Sequence, residues 1–135
     1  MPSPVPMHCI PLTDTRVLEF YDWPFAPWVK GLGMREFSVA QGEVSALLPQ
    51  SDALKCSSGA VCGQVIMAAT DTIASLAMAA TDRIPRGTVY QHTHFLRPAV
   101  NDDFRVKATG KGAVMSASEA LQRIAYRCWF ARERI

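Results

Sequence analysis

The chain is 135 residues long, 49% hydrophobic, and carries a formal net charge of +2. That length fits one domain with a sizeable core, and the composition excludes a disordered or fibrous chain. Its 14 Lys and Arg are scattered rather than gathered in runs, which argues against nucleic acid or a membrane surface as a partner.

Residues 1–12 hold prolines at 2, 4, 6 and 11 and form an arm that is ordered only where something packs on it. The opening stretch Met1 to Met7 lacks the basic and apolar regions of a signal peptide. Thr13 or Asp14 is positioned to cap a short helix with Val17, Leu18, Phe20 and Tyr21 on its apolar side, ending before Pro24. This gives an arm and short helix over 1–24, followed by the main domain over 25–135. Trp23 to Gly33 is an aromatic and Pro/Gly-rich connector, a loop or broken helical turn in which Trp23 and Trp28 are expected as core anchors.

Met34 to Ala40 and Glu43 to Pro49 alternate apolar and polar residues around Gln41-Gly42, the pattern of an antiparallel hairpin. A polar link then leads through Cys56 to Gly63 into a helix over 64–80, which has no internal Gly or Pro. Apolar all round, that helix is expected to be buried all round. Gln64, Asp71 and several hydroxyls argue against its crossing a bilayer. Thr88 to Leu96 is a strand and Asn101 to Asp103 a turn. Phe104 to Gly110 is a strand, Lys111-Gly112 a turn, and Met115 to Leu121 and Ile124 to Arg132 are two further strands joined near Gln122-Arg123. The order predicts an α+β fold in which an antiparallel sheet wraps the long helix.

Four cysteines, Cys9, Cys56, Cys62 and Cys128, match neither a zinc nor a redox spacing and read as free thiols of a reducing, cytoplasmic compartment. His92 and His94 share a strand face, but a His-x-His pair without a third ligand is a poor metal site. No metal and no separate cofactor are expected.

Asp71 is the anomaly, because a carboxylate in an apolar helix is opposed by desolvation unless something compensates. One reading ties it structurally to Ser75, Thr72 or a backbone donor; the other gives it a chemical role. On a helical wheel it shares a stripe with Gln64, Ala68, Ser75 and Met78. The first-turn N–H groups, at Gly63 and Gln64, make a place where an oxyanion could rest. An oxyanion donor and a carboxylate two turns apart suit acyl transfer.

Three segments, Gly59-Ala-Val-Cys62-Gly63-Gln64, Asp71-Thr72 and Thr93-His-Phe-Leu-Arg-Pro98-Ala, together resemble the hotdog-fold acyl-CoA thioesterases of the phenylacetate-pathway (PaaI-like) type. The pattern of that family is Asn-x-x-Gly-x-hydrophobic-His-Gly-Gly, an Asp in the helix, and a strand ending Phe-Leu-Arg-Pro. The resemblance covers roughly residues 25–132 and implies a sheet wrapped around a central helix. It further implies a homo-oligomer, a dimer or a dimer of dimers, with each site at a subunit interface and an acyl-CoA as substrate. Carried over, Gly63 N–H polarises the thioester carbonyl, and Asp71 of the facing subunit acts as base or nucleophile. Ser75 helps to orient water. Cys62, Thr72 and Met67 fall among substrate-binding positions, and Arg97 and Lys111 are placed to meet coenzyme A phosphates.

The pattern is departed from at three places. Cys56 stands for the amide, Cys62 for the His and Gln64 for the second Gly. A thiol is a weak donor, so Gln64 becomes the candidate replacement amide. The same departures fit a second reading, an acyl-CoA-binding module without hydrolysis. A hotdog dehydratase is the weaker reading, since neither His92 nor His94 lies in the turn where such an enzyme pairs its His with the helix acid.

Overall fold

The structure, a computed structural model, describes residues 4–83, 85–109, 112–116 and 121–130. Helices α1 (Val17–Asp22) and α2 (Pro27–Lys30) precede the hairpin β1 (Arg35–Ala40) and β2 (Glu43–Leu48). The long helix α3 (Gly63–Ala79) follows, and β3 (Pro85–Phe95), β4 (Phe104–Thr109), β5 (Gly112–Ser116) and β6 (Leu121–Phe130) complete one antiparallel sheet. Its strand order is β1-β2-β4-β5-β6-β3, so β1 and β3 are the edges. The expected architecture, an antiparallel sheet around one long helix, is what forms.

Alternation on the strands decides which face meets α3. Val44, Ala46 and Leu48 on β2 are buried and stand opposite Ala108, Val106 and Phe104 on β4. From the helix come Ile66, Ala69, Thr70, Ile73 and Ala77, spaced by three and four residues and all buried. Each large apolar side chain removed from water here contributes about 1.5–3 kcal/mol. The β1–β2 turn is as expected: Ala40 pairs with Glu43, and Gly42 takes φ 66°, where a side chain is disfavoured.

The arm joins the same core. Cys9, Ile10 and Leu12 are buried with Val17, Phe20 and Tyr21, and Leu12 N–H donates to the Ala79 carbonyl at the end of α3. Neither Thr13 nor Asp14 caps α1, whose N-cap is Arg16, without a side-chain cap. Asp14 Oδ1 instead accepts the Val39 N–H at 2.7 Å, fastening the arm to β1. Leu18 is exposed although grouped with the apolar side, because only Val17, Phe20 and Tyr21 of that helix turn inward.

Four further expectations are corrected. Trp28 is 66% exposed and anchors nothing, whereas Trp23 packs its ring on Phe20. The last two strands do not break at Gln122-Arg123, since both residues lie inside β6, opposite Phe95 and His94 of β3. Gly112 opens β5 opposite Thr109 rather than forming a turn, and Lys111 lies outside the described residues. Finally, α3 is not covered all round: Gln64 and Met67 are exposed, and Ala68, Asp71 and Ser75 only half-buried. A single sheet meets one side of a helix, which leaves this stripe open in one chain.

Candidate active site

Two features meet at the start of α3. The first is the bare backbone of Gly63, with an extended Cys62 before it as N-cap. Among the described residues nothing accepts from the Gly63 or Gln64 N–H groups, while Val65 and Ile66 N–H both turn back to the Cys62 carbonyl. Unpaired N–H groups and the positive end of a 17-residue helix favour an anion or a developing oxyanion. The second feature is a cavity of about 420 Å3, lined by Ala60, Val61, Gly63, Ile66, Arg97 and Pro98 with the flanking residues of β3.

Phe95 forms the wall that sequence reasoning missed. A Cβ on Gly63 would stand 3.3 Å from Phe95 Cζ and would push the ring outward by a few tenths of an ångström, so the bare backbone lets this ring lie closer against the helix start. Phe95 and Leu96 are each half exposed, an apolar mouth beside the free N–H groups. The alternation of β3, with Gln91 and Thr93 half-buried and His92 and His94 exposed, was the available signal for Phe95. Its meeting with Gly63 was not.

A larger cavity, about 510 Å3, lies at the opposite end of α3 and includes Leu12, Asp14, Val39 and Thr81. That end presents carbonyls, and those of Ala79 and Ala80 already accept from Leu12 and Gly42. It offers no equivalent of the Gly63 donor.

Asp71 lies on the open stripe. Its carboxylate accepts a hydrogen bond from the Thr88 hydroxyl of β3, a partner that sequence did not supply. Ser75 donates to the Asp71 main-chain carbonyl at 2.9 Å, so its hydroxyl is oriented along the helix. Thr72, by contrast, is buried and donates to the Ala68 carbonyl. Met67 is exposed on the Asp71 side, and its carbonyl accepts from Gln91 Nε2.

The unusual turn has its own hydrogen bonds. Cys62 Sγ donates to Gln64 Oε1 at 2.6 Å, a contact that does not use the two Nε2 hydrogens of Gln64. Cys56 stays in the preceding loop, its sulfur contacting Ser58 Oγ at 3.1 Å and the Ala60 carbonyl at 3.2 Å. The Ser58 hydroxyl holds the Cys56 thiol below the ordinary thiol range. Cys56 does not line the cavity, whereas Arg97 does. The structure therefore gathers Gly63, Gln64, Cys62 and Arg97 at the helix start and places Asp71, Ser75 and Met67 farther along the same helix.

His92 and His94 stack their rings 4.5 Å apart and nearly parallel on the exposed side of β3. Among the described residues no third ligating side chain joins them.

No protein-family model and no curated protein matches the chain. Solved structures do. A thioesterase family protein from Silicibacter pomeroyi superposes with TM-score 0.71 at 19% identity, covering 83% of this chain and 93% of that one. The PaaI protein of the Escherichia coli phenylacetic acid degradation operon gives TM-score 0.67 at 15% identity over 84% and 88% of the two chains. A Streptococcus mutans protein bound to acetyl-CoA gives 0.63 at 15% identity over 75% and 93%. At these identities the likeness is one of fold, and the chain has the hotdog fold that these thioesterase structures share, as its motifs implied.

Proposed function

We propose that the protein hydrolyses an acyl-CoA thioester to the free acid and coenzyme A. The observation that carries this reading is Gly63, whose N–H has no acceptor among the described residues, lining a cavity with an apolar mouth and Arg97 on its wall. It is supported by structural neighbours named as thioesterases, and by one bound to acetyl-CoA. The thioester oxygen would rest on Gly63 N–H, where charge develops in the tetrahedral intermediate. Water attacks the carbonyl carbon, the C–S bond breaks, and the coenzyme A thiolate leaves and takes a proton. Acyl-CoA and water are the only reactants, and Arg97 meets a coenzyme A phosphate at the mouth.

The helix itself argues for a second chain. Gly63 and Asp71 are eight residues apart, about 12 Å along an α-helix at 1.5 Å per residue, whereas base and carbonyl must come within about 3 Å of one water or carbon. One copy therefore supplies Gly63 and another supplies Asp71, as general base or attacking carboxylate, in a homodimer or a dimer of dimers. The open stripe of Gln64, Met67 and Asp71 is the face that such a copy would cover. We place this activity in the cytoplasm; no helix among the described residues is long and apolar enough to cross a membrane.

Coenzyme A release from acyl-CoAs of graded chain length and aromaticity tests the reading. Turnover of at least one substrate is expected. Binding by calorimetry with no turnover of any would replace hydrolysis with acyl-CoA capture. Gln64 has a separate test. Gln64 adjoins Gly63 and its Nε2 is not used in the Cys62 contact, so as a second carbonyl donor its loss in Gln64→Ala is expected to lower kcat by about 100-fold, the scale of losing one such donor. A kcat equal to wild type would remove Gln64 from the mechanism and leave the Gly63 donor in place.

A further inference from the structure

A second chemistry sits far from α3, where the arm meets α1. The single 3-10 turn Met7–Cys9 turns the consecutive residues His8 and Cys9 toward Glu19 of α1. His8 Nε2 lies 2.5 Å from Glu19 Oε1. One ligand-capable atom from each of His8, Cys9 and Glu19 falls within 4.8 Å of the other two. The heteroatoms converge because the arm is fastened on both sides, by Cys9 and Leu12 in the core and by Asp14 on β1.

We propose that His8, Cys9 and Glu19 form a site for one Zn2+ ion that clamps the N-terminal arm onto α1. The donor set is a mixed N, S and O group, which suits Zn2+ better than the oxygen-seeking Mg2+ or Ca2+. An ion about 2.0–2.3 Å from each ligand needs neighbouring ligand atoms about 3.3–3.7 Å apart. The His8–Glu19 contact must open by about 1 Å, and the other pairs already lie within 4.8 Å. The His8 and Glu19 side chains, 65% and 59% exposed, are free to make that adjustment. Cys9 is fully buried and fixed, so it would be the anchor, with the fourth position open to water.

The charges agree with this assignment. A divalent cation at this position would displace the Cys9 thiol proton. Thiolate, carboxylate and Zn2+ sum to zero. Arg16, whose guanidinium donates to the His8 carbonyl at 2.5 Å, therefore meets no net positive charge. The cysteine spacing gave no sign of the site because only one of its ligands is a cysteine.

The test is titration of chelator-treated, full-length protein with Zn2+ against a competing chromophoric chelator, alongside thermal melts. One Zn2+ per chain is expected, with a melting temperature several degrees higher at saturation. Loss of a mere outer-shell partner weakens metal sites about 10–100-fold, so His8→Ala and Glu19→Gln should each weaken binding by more than about 10-fold and abolish most of the thermal gain. Both residues are exposed, so both variants should fold. Co2+ in place of Zn2+ should show thiolate charge-transfer absorption that Cys9→Ser removes. Absence of uptake, or uptake that survives both variants and is lost with Cys56→Ser or Cys62→Ser, overturns the site. Since none of these readouts uses acyl-CoA, the outcome is independent of the proposed hydrolysis.

Discussion

Asp71→Asn is expected to keep the fold and the oligomer while lowering kcat on the best acyl-CoA by about 100- to 10,000-fold, the range of a positioned acid or base. Asn is the right replacement because the Asp71 carboxylate accepts from the Thr88 hydroxyl, and the amide oxygen of Asn is an equivalent acceptor of almost the same size. The bond from α3 to β3 therefore survives, and what disappears is the ability to take a proton or attack a carbonyl. Circular dichroism and size-exclusion chromatography establish that the variant is intact, and a thiol-reactive dye follows coenzyme A release. A kcat within threefold of wild type would reduce Asp71 to a helix-to-strand tie. The open stripe containing Asp71 would then need another explanation.

The second large effect concerns the core. Phe104 is 1% exposed and is the first residue of β4, opposite Leu48 of β2, inside the cluster that α3 closes. Phe104→Ala removes most of an aromatic side chain from a packed position and leaves a cavity, so a loss of about 3–5 kcal/mol is expected. Natural domains are stable by only about 5–15 kcal/mol, so this one change consumes a large share. Urea unfolding at one fixed protein concentration measures it, because an oligomer's apparent stability shifts with concentration. Trp28→Ala is the natural control. With Trp28 66% exposed, a loss above about 1 kcal/mol would show that this ring is covered in the assembled protein.

Much of the architecture was legible in local patterns. The Gln41-Gly42 hairpin follows from alternation and from a glycine at φ 66°, and α3 follows from a run of helix formers with no Gly or Pro within it. Strand boundaries near the C-terminus were less legible. Leu121 to Phe130 is one strand, yet Gln122 and Arg123 interrupt its apolar pattern and invite a break. Their place opposite β3 is set by long-range pairing that no local window contains. The cap of α1 failed for a related reason: Asp14 has a more distant acceptor role at Val39 N–H, and a side chain cannot serve both.

The candidate site divides in the same way. Sequence alone determined that an acid sits in an apolar helix, that a glycine precedes it at the helix start, and that a strand ending Phe-Leu-Arg-Pro follows, because residue identity and spacing are local properties. Tertiary structure alone decided that Phe95 covers Gly63, that Thr88 holds Asp71, and that Thr72 faces the core while Met67 faces out. It also decided that His8 and Cys9 meet Glu19, eleven and ten residues further along the chain. Each of these depends on how separate elements pack, on how the sheet wraps the helix and on where the arm is fastened, which no periodicity encodes.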